Sequence, residues 1–468
     1  MPRRDPSSVV LLDDDGCTAR AKDLEECLDR LKEFIWPYAG MLHRKELRGH
    51  CEDFVRGLLS DLDRKSTEPI AERAGKVRRG MQRFIGESEW DYEPLLGKLC
   101  REVADGIGSP DGVLVIDPTS LIKKGHASVG VARQWCGRTG QVENCQQAVF
   151  LGYVSGKERT LVDVRLFMPK EWIADQARRA ECHVPESVGY QSQHNLGLAM
   201  LRERSEAIPH AWVTADGDFG RSQNFRRELR EMGERYVLAT APAQRVRDAE
   251  GPMDRVNGRQ AKAPTMRVDR FKDLIPARDW KRIEVRAGTK GPLVLWAARA
   301  RVQASLRLRR DKAVEWLIVM RTEGAEPEFR YYLSNAAVDV PIEKMVRAAC
   351  SRYWIEDCFE RAKGRVGLGH CEARTWLGWH HHVTLTMLAL WFLVREQRRL
   401  GSNTPAMTLQ QSAEAVSELL RNPAISTTEL AQRITRRLRR TETARRHHWE
   451  SAARRKVPDL ERPLEAAQ

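Results

Sequence analysis

The chain has 468 residues, 41% of them hydrophobic, which is enough apolar material for about two to four folded domains. It carries 79 Lys and Arg against 65 Asp and Glu, and this net charge of +14 favours a polyanionic partner over an acidic or neutral one. The N-terminus lacks an apolar stretch of signal-peptide length, and the longest apolar run, residues 383–394, is too short to span a bilayer. We therefore expect a cytoplasmic protein with no membrane partner.

The ten cysteines stand singly, and no two of them form a CxxC pair. This pattern favours reduced thiols over a disulfide framework or a zinc ribbon. Two adjacent Cys and His pairs, Cys182–His183 and His370–Cys371, have the donor types of a metal site. Such isolated pairs are mostly packing residues, so we predict no zinc site.

Residues 1–105 are predicted to form a helical DNA-binding domain. Between about residues 18 and 105, apolar residues recur at spacings of three and four. Within this region, residues 63–86 read as a short helix, a glycine turn and a second, basic helix. This is the outline of a helix-turn-helix, whose second helix would enter a major groove, and it equally fits a plain helical hairpin.

Residues 106–240 change period and are predicted to form the first part of an α/β core. Apolar segments around Asp117 and Asp216 read as buried strands that end at these aspartates, with two further strands and a helix between them. A helix and another strand follow. Because α/β sheets place their sites at strand ends, the two aspartates mark a candidate site, although either one considered alone is more often a cap or a turn former.

The C-terminal half is predicted to contain three further segments. Residues 241–335 open with a polar loop and continue as strand-like runs, which indicates a β-rich insertion. Residues 336–400 form the second part of the core, with one long helix and a buried helix over 380–397. Residues 401–468 form an Arg-rich helical region that we expect to contact DNA phosphates.

Three histidines, His380, His381 and His382, open the predicted buried helix. Three consecutive histidines suggest a metal site. However, successive helical residues point about 100° apart, so the three cannot all ligate one ion. We interpret them as a helix N-terminus.

The long helix carries charges of both signs along one face. At about 100° per residue, Arg352, Glu356 and Lys363 fall within roughly 40° of one another, and Glu360 joins them. One explanation is a solvated face with ion pairs between successive turns. The other is a site, if this helix packs across the sheet beside the strand of Asp117.

Asp117, Asp216 and Glu356 would then meet. Three carboxylates repel one another unless hard cations lie among them. We therefore predict two Mg²⁺ ions about 3.5 to 4 Å apart, with Asp117 as the bridging ligand and Mn²⁺ as a possible substitute. One ion would activate a water or a 3′-hydroxyl and the other would stabilise the leaving oxygen, while Arg352 and Lys363 would position the scissile phosphate.

The chain resembles the DDE transposases of bacterial insertion sequences, which have a ribonuclease-H-like catalytic core. It is most similar to the branch named after insertion sequence 701, a relative of the insertion sequence 4 group. The segments that carry the resemblance are VLVIDPTSLIKKGHASVGVARQWCGRTGQVENCQ, WVTADGDFG, RYWIEDCFERAKGRVGL and RTWLGWHHHVTLTMLAL. The resemblance implies a ribonuclease-H-like core with a β-rich insertion and helical regions at both ends, in which Asp117, Asp216 and Glu356 are the catalytic, metal-binding residues.

The related group also has a Tyr, Arg, Glu, Lys signature. Arg352 and Lys363 stand at its Arg and Lys positions, four before and seven after Glu356. The Tyr position is occupied by Ala349, so the DNA contact of that tyrosine is absent or is supplied by Tyr353.

Further DNA contacts follow from the same resemblance. In relatives the β insertion contacts the transposon end, where an aromatic side chain can stack on a flipped base. Trp280, Trp296 and Trp316 are the candidates, with Trp296 and Trp316 preferred, although tryptophans in strands are usually core residues. The segment after Asp117 adds DNA contacts at Lys123, Lys124 and His126, unless it is simply a flexible basic hairpin.

The resulting expectation is a nucleoid-associated DNA transposase. It would bind double-stranded DNA at the terminal inverted repeats of its element, hydrolyse a phosphodiester to free a 3′-OH, and join that end to target DNA. A homodimer is expected in the synaptic complex because two ends must be joined. The alternatives are a nuclease of the same fold without strand transfer and a domesticated, non-catalytic DNA-binding protein.

Overall fold

The structure, a computed structural model, describes residues 12–251, 255–256, 259–260, 264–288, 291–304, 313–324 and 326–454. These residues form a mixed α/β fold, which confirms the predicted class. The outermost parts of the first and last predicted domains, residues 1–11 and 455–468, lie outside the described residues.

Six helices precede the first strand: α1 (Ala21–Leu24), α2 (Cys27–Ala39), α3 (Lys45–Leu59), α4 (Thr67–Arg73), α5 (Arg78–Gly86) and α6 (Glu93–Ile107). The predicted helical character of this region is confirmed. Helices α4 and α5 are joined through Gly75, whose φ of +64° lies in the left-handed region that favours glycine. The short helix, glycine turn and basic helix predicted from the sequence are therefore present.

The first sheet has five strands: β1 (Val113–Ile122), β2 (Ala132–Cys136), β3 (Gln141–Ser155), β4 (Glu158–Leu166) and β5 (Trp212–Ala215). Strand β3 is antiparallel to β1, β2 and β4, whereas β1 is parallel to β5. The accompanying helices are α7 (Lys170–Ala174), α8 (Gln176–Glu181), α9 (Gln193–Arg204), α10 (Gly217–Arg221) and α11 (Gln223–Glu231). The sequence did not predict β2, α7, α8 or α10, each of which is too short for a clear period.

Strand β1 does not end at Asp117, which corrects the sequence interpretation. Its parallel pairing with β5 stops at Ile116, opposite Ala215. The antiparallel ladder with β3 continues through Asp117, opposite Phe150, as far as Ile122. Asp117 therefore lies where the parallel pairing ends, because β3 is longer than β5 and holds the rest of the strand.

A second sheet follows, and its region contains β6 (Val237–Thr240), β7 (Arg245–Asp248), β8 (Arg255–Val256), β9 (Arg259–Gln260), β10 (Thr265–Arg267), α12 (Val268–Phe271), β11 (Lys281–Gly288), β12 (Gly291–Gln303), β13 (Glu315–Thr322) and β14 (Phe329–Ser334). The strand order is β10-β7-β12-β13-β14-β6, with β11 also paired to β12 and β8 paired to β9 alone. A single bridge between Val213 and Tyr236 joins this sheet to β5. The segment predicted as a polar loop thus contains short strands, which its charged residues concealed.

Four helices complete the described chain: α13 (Ile342–Arg365), α14 (Trp376–Asn403), α15 (Leu409–Arg421) and α16 (Thr427–Arg454). The predicted long helix is confirmed as α13. Helix α14 begins four residues earlier than predicted, because the Thr375 side chain caps it by accepting a hydrogen bond from the Gly378 backbone at 3.1 Å. The three histidines therefore lie inside the helix and are buried, not at its N-terminus.

Most elements share one hydrophobic core. It extends from Cys17, before α1, through the first sheet and α14 to Leu438 of α16. A smaller cluster, which includes Val246, Phe271 and Leu333, fills the second sheet. In the part of the chain that is described, no helix has the length and apolarity needed to cross a membrane.

Candidate functional site

Strands β1 and β5 bring two aspartates together. Since Ile116 lies opposite Ala215 in the parallel ladder, the next residue on each strand is an aspartate, Asp117 on β1 and Asp216 after β5. Asp117 is only 8% exposed. Two distant segments of sequence thus meet at the carboxyl end of the parallel pair.

Asp216 is held in place as the N-cap of α10. Its Oδ1 accepts hydrogen bonds from the backbone amides of Asp218 at 2.9 Å and Phe219 at 3.3 Å. Capping a helix was the structural alternative to a site role for this aspartate. It also fixes the carboxylate beside Asp117, so the two roles are compatible.

Helix α13 adds the third carboxylate. The helix contacts β1, β4 and β5, and its charged face lies towards the aspartates. The Arg352 guanidinium is 3.5 Å from Asp117 Oδ1 through Nη1 and 2.8 Å from Glu356 Oε1 through Nη2. One arginine therefore bridges two of the three predicted catalytic carboxylates.

The electrostatics of Asp117 reflect this convergence. The pKa of Asp117 is raised to about 7, mainly by burial and also by the charges of Asp216 and Glu356, against the opposing charge of Arg352. The carboxylates are thus close enough to repel one another. Among the described residues, no group of three or more His, Cys, Asp or Glu side chains stands in a position to hold a metal ion.

Lys363 lies on the same face of α13 as Glu356, about two turns further along the helix. Its Nζ donates hydrogen bonds to Thr119 Oγ1 at 2.8 Å and to the Ser120 carbonyl at 3.2 Å. Burial lowers the pKa of Lys363 to about 8. Thr119 and Ser120 were not predicted from the sequence as partners of Lys363. Their positions two and three residues after Asp117, in an extended strand, could have indicated that they lie near the site.

The basic segment after β1 is not drawn into this cluster. Lys123 Nζ donates to the Cys371 carbonyl, and the side chains of Lys124 and His126 are exposed. The His126 carbonyl accepts a hydrogen bond from Arg178 at 3.1 Å, which ties the loop to α8. Their predicted contact with DNA stays a prediction.

The three tryptophans of the second sheet differ in exposure. Trp316 is 8% exposed and lies against the guanidinium groups of Arg299 and Arg301, at 4.2 and 4.7 Å. Trp280 and Trp296 are half-buried. Trp316 would have to leave the core to stack on a base, so Trp296 is the more accessible of the two preferred candidates.

Ala349, at the Tyr position of the family signature, and the nearby Tyr353 differ in exposure. Ala349 is buried in α13, whereas Tyr353 is 52% exposed. The ring of Tyr353 lies 4.4 Å from the guanidinium of Arg286. That the DNA contact of the family tyrosine is absent or is supplied by Tyr353 stays a prediction.

Comparison with known proteins places the chain in a sequence family. Residues 37–296, more than half of the chain, match the sequence family described as DDE superfamily endonuclease. A probable transposase for insertion sequence element IS701 from Microchaete diplosiphon is 26% identical over 187 residues, which cover 39% of this chain and 46% of that protein. The chain thus aligns with about half the length of this curated relative.

Among solved structures, the NurA nuclease from Sulfolobus solfataricus aligns with 55% of this chain and 80% of its own at 10% identity, with a TM-score of 0.23. The family match includes Asp117 and Asp216, and Glu356 lies beyond it. The resemblance inferred from the sequence motifs is confirmed by the family match and by the transposase relative. The chain belongs to the DDE superfamily endonucleases.

Proposed function

We propose that this protein is a DNA transposase that binds the terminal inverted repeats of its element, cleaves phosphodiester bonds and joins the resulting 3′ ends to target DNA. The observation that carries the proposal is the cluster of Asp117, Asp216 and Glu356 around Arg352. The likeness to a probable insertion-sequence transposase supports it.

The strand arrangement supports a ribonuclease-H-like core. The first sheet has the order β2-β3-β1-β5, with β4 also paired to β3. Strand β3 is antiparallel to its neighbours, β1 is parallel to β5, and Tyr236, just before β6, makes a parallel bridge to β5. Helix α13 packs across β1 and β5. In the sequence, the strands of the second sheet lie between Asp216 and Glu356, which supports a β-rich insertion within the core.

The side chains of the candidate site are of the chemical type that binds divalent cations. Asp117, Asp216 and Glu356 offer the hard oxygen ligands that Mg²⁺ and Mn²⁺ prefer. Burial, and after it the charges of Asp216 and Glu356, raise the pKa of Asp117, and bound cations would stabilise its ionised form. We propose that these three carboxylates hold two Mg²⁺ ions. Bound there, the ions would supply a deprotonated nucleophile and stabilise the charge of the leaving oxygen.

The chain's own cations would orient the substrate. Arg352 presents a planar guanidinium, whose fork geometry suits two phosphate oxygens. Lys363 is held towards the same edge of β1 by Thr119 and Ser120, as a point charge beside the phosphate. Together they would align the scissile bond with the carboxylates, which is the main protein contribution to phosphoryl transfer.

Other parts of the chain would hold the rest of the DNA. We propose that α4 and α5 form a helix-turn-helix, since α5 exposes Arg78, Arg79 and Arg83. Helix α16 would add phosphate contacts. A homodimer would assemble the two ends of the element before joining.

The test uses purified full-length protein, Mg²⁺ and a DNA that carries the inverted repeats flanking the coding sequence. We expect nicks that leave 3′-OH ends and covalently joined products with a supercoiled target. Asp117→Asn and Asp216→Asn should bind the repeats as wild type does, because phosphate contacts supply most of the affinity, yet make neither product.

The outcomes separate the alternatives. Nicks without joined products would identify a nuclease that lacks strand transfer. Binding of the repeats without nicks would identify a non-catalytic DNA-binding protein. Nicking that survives in Asp117→Asn would refute the assigned carboxylates.

A further inference from the structure

A basic surface lies away from the three carboxylates of the candidate site. It is a groove of about 580 Å³ between the start of β1, the start of β5, β11 and α13. We call it the basic groove, because its lining includes six cations, Lys157, Arg159, Arg286, Lys344, Arg347 and Arg361, and one carboxylate, Asp111.

The basic groove is separate from the candidate active site. Val113 and Trp212, which line it, begin the strands whose other ends lead to Asp117 and Asp216. Four residues of strand, roughly 13 Å, separate Val113 from Asp117. On α13, at about 100° per residue, the lining residues also lie on the side opposite Glu356.

Half of the cations in the groove have no carboxylate partner within the described part of the chain. Asp357 pairs with Arg159 and Arg361, and Lys344 lies 3.4 Å from Asp111. Among the described residues, no ion pair involves Lys157, Arg286 or Arg347. These three positive charges converge on one groove without compensation, which favours a polyanionic occupant.

The groove also has an aromatic rim. The Trp354 ring lies 4.0 Å from the guanidinium of Arg159 and 4.2 Å from that of Arg286, and Arg286 in turn lies 4.4 Å from the exposed ring of Tyr353. A register shift in β11 between Glu284 and Arg286 marks a bulge at this point. Bulges commonly redirect a side chain beside a functional site.

We propose that the basic groove binds a single-stranded segment of DNA. Its phosphates would lie on Lys157, Arg286 and Arg347, and an unpaired base would stack on Tyr353. Cationic grooves that interleave arginines with aromatic rings bind single strands in this way, because every base offers a face for stacking. The proposal takes from the proposed function only that the polyanion is DNA.

The test measures fluorescence anisotropy of labelled dT15 and of a labelled 15-base-pair duplex, both in EDTA so that no cleavage occurs. The first variant combines Lys157→Ala, Arg286→Ala and Arg347→Ala. We expect its affinity for dT15 to fall at least about tenfold and its salt slope to become shallower by roughly 2, since each single-strand phosphate contact adds about 0.7. The duplex should lose less.

A matched control removes three exposed cations that do not line the groove, Lys22, Lys32 and Arg278. It should bind dT15 within about twofold of wild type. Tyr353→Ala should weaken dT15 binding by roughly 5- to 100-fold, as expected for a stacked base, whereas Tyr353→Phe should retain it.

Equal losses in the triple variant and the control would overturn the proposal, as would unchanged binding in Tyr353→Ala. Competition by a poly-glutamate peptide as effective as unlabelled dT15 would also overturn it, because the groove would then recognise charge alone. If the protein binds the duplex but does not bind dT15, only the proposal for the basic groove is refuted. Failure to bind either DNA would refute the proposed function as well.

Discussion

Two glutamates one turn apart on α13 differ in their surroundings. Glu356 is bound by Arg352, which also reaches Asp117. Both glutamates are exposed, but no ion pair involves Glu360 among the described residues. At the scale of single residues, the contact with Arg352 therefore distinguishes Glu356 from Glu360.

We predict that Glu356→Gln lowers the rate of DNA nicking by several orders of magnitude, because it removes a charge that a hard cation needs. Glu360→Gln should keep most of the activity, since it lies outside the cluster and contributes at most a few tenths of a kcal/mol to the helix. Single-turnover nicking assays measure both. The reverse pattern would place the third carboxylate one turn further along α13.

A buried ion pair joins two elements of the fold, α11 and β13. Glu315 Oε1 accepts hydrogen bonds from Arg226 Nε at 2.9 Å and from the Tyr236 hydroxyl at 2.6 Å, and the Arg226 and Glu315 side chains are fully buried. These contacts connect α11 with the second sheet and hold that helix against it.

We predict that Glu315→Ala lowers the free energy of unfolding by about 3 to 5 kcal/mol, because it leaves a buried guanidinium without its counter-charge. The control is Glu228→Ala, which breaks the exposed pair with Arg202 and should cost at most about 1 kcal/mol. Urea titrations compare the two variants. Similar losses would show that the buried pair does not stabilise this junction.

The buried histidines of α14 are a second feature at the scale of secondary-structure elements. Burial lowers the pKa of His380 to about 3 and those of His381 and His382 to about 4. The His381 ring stacks on Trp90 at 3.6 Å, and its nitrogens lie 2.9 and 2.8 Å from the Ile85 and Trp90 carbonyls. A neutral ring donates to one of these carbonyls only, and desolvation keeps it neutral.

A depressed folded-state pKa gives stability that is fully present above pH 6.5, the unfolded value, and is lost as pH falls towards about 4. We predict that unfolding free energy decreases over this range, by up to about 1.4 kcal/mol per pH unit for each histidine. His381→Gln should flatten the slope by about that amount, whatever its effect at pH 7. The exposed His447→Gln serves as control, and identical slopes in both variants would contradict the assignment.

At the scale of the whole molecule, the C-terminal helix α16 is both a packing element and a charged surface. Ile434 and Leu438 are buried in the main core, and Arg437 pairs with Glu414. Deletion from residue 431 would therefore expose the core as well as remove charge. Point substitutions are the cleaner test of its contribution to DNA binding.

We predict that replacing Arg436, Arg440 and Arg446 with Ala makes the fall of log K with log salt shallower by roughly 0.9 for each lost duplex phosphate contact. These arginines are exposed, and none makes an ion pair within the described part of the chain. The matched control replaces Arg433, Arg437 and Arg445, which are paired with glutamates on α15 and α16. An equal slope for wild type and the first variant would make α16 a packing element only.

The sequence by itself located the longer elements and the chemistry that each of them carries. Helical period put Arg352, Glu356 and Lys363 on one face, because that arrangement depends only on residues within a few turns. Apolar runs located β1 and β5 next to their aspartates for the same reason. The motifs then identified the family, and the comparisons confirm it.

Only the tertiary structure decided how these elements meet. The parallel register of β1 and β5 sets Asp117 beside Asp216 across about a hundred residues of chain, and no local pattern encodes such a pairing. The bridge made by Arg352 likewise required the packing of α13 on the sheet. The buried histidines and the basic groove depend on neighbours far away in sequence, since burial and uncompensated charge are properties of the assembled surface and not of any single segment.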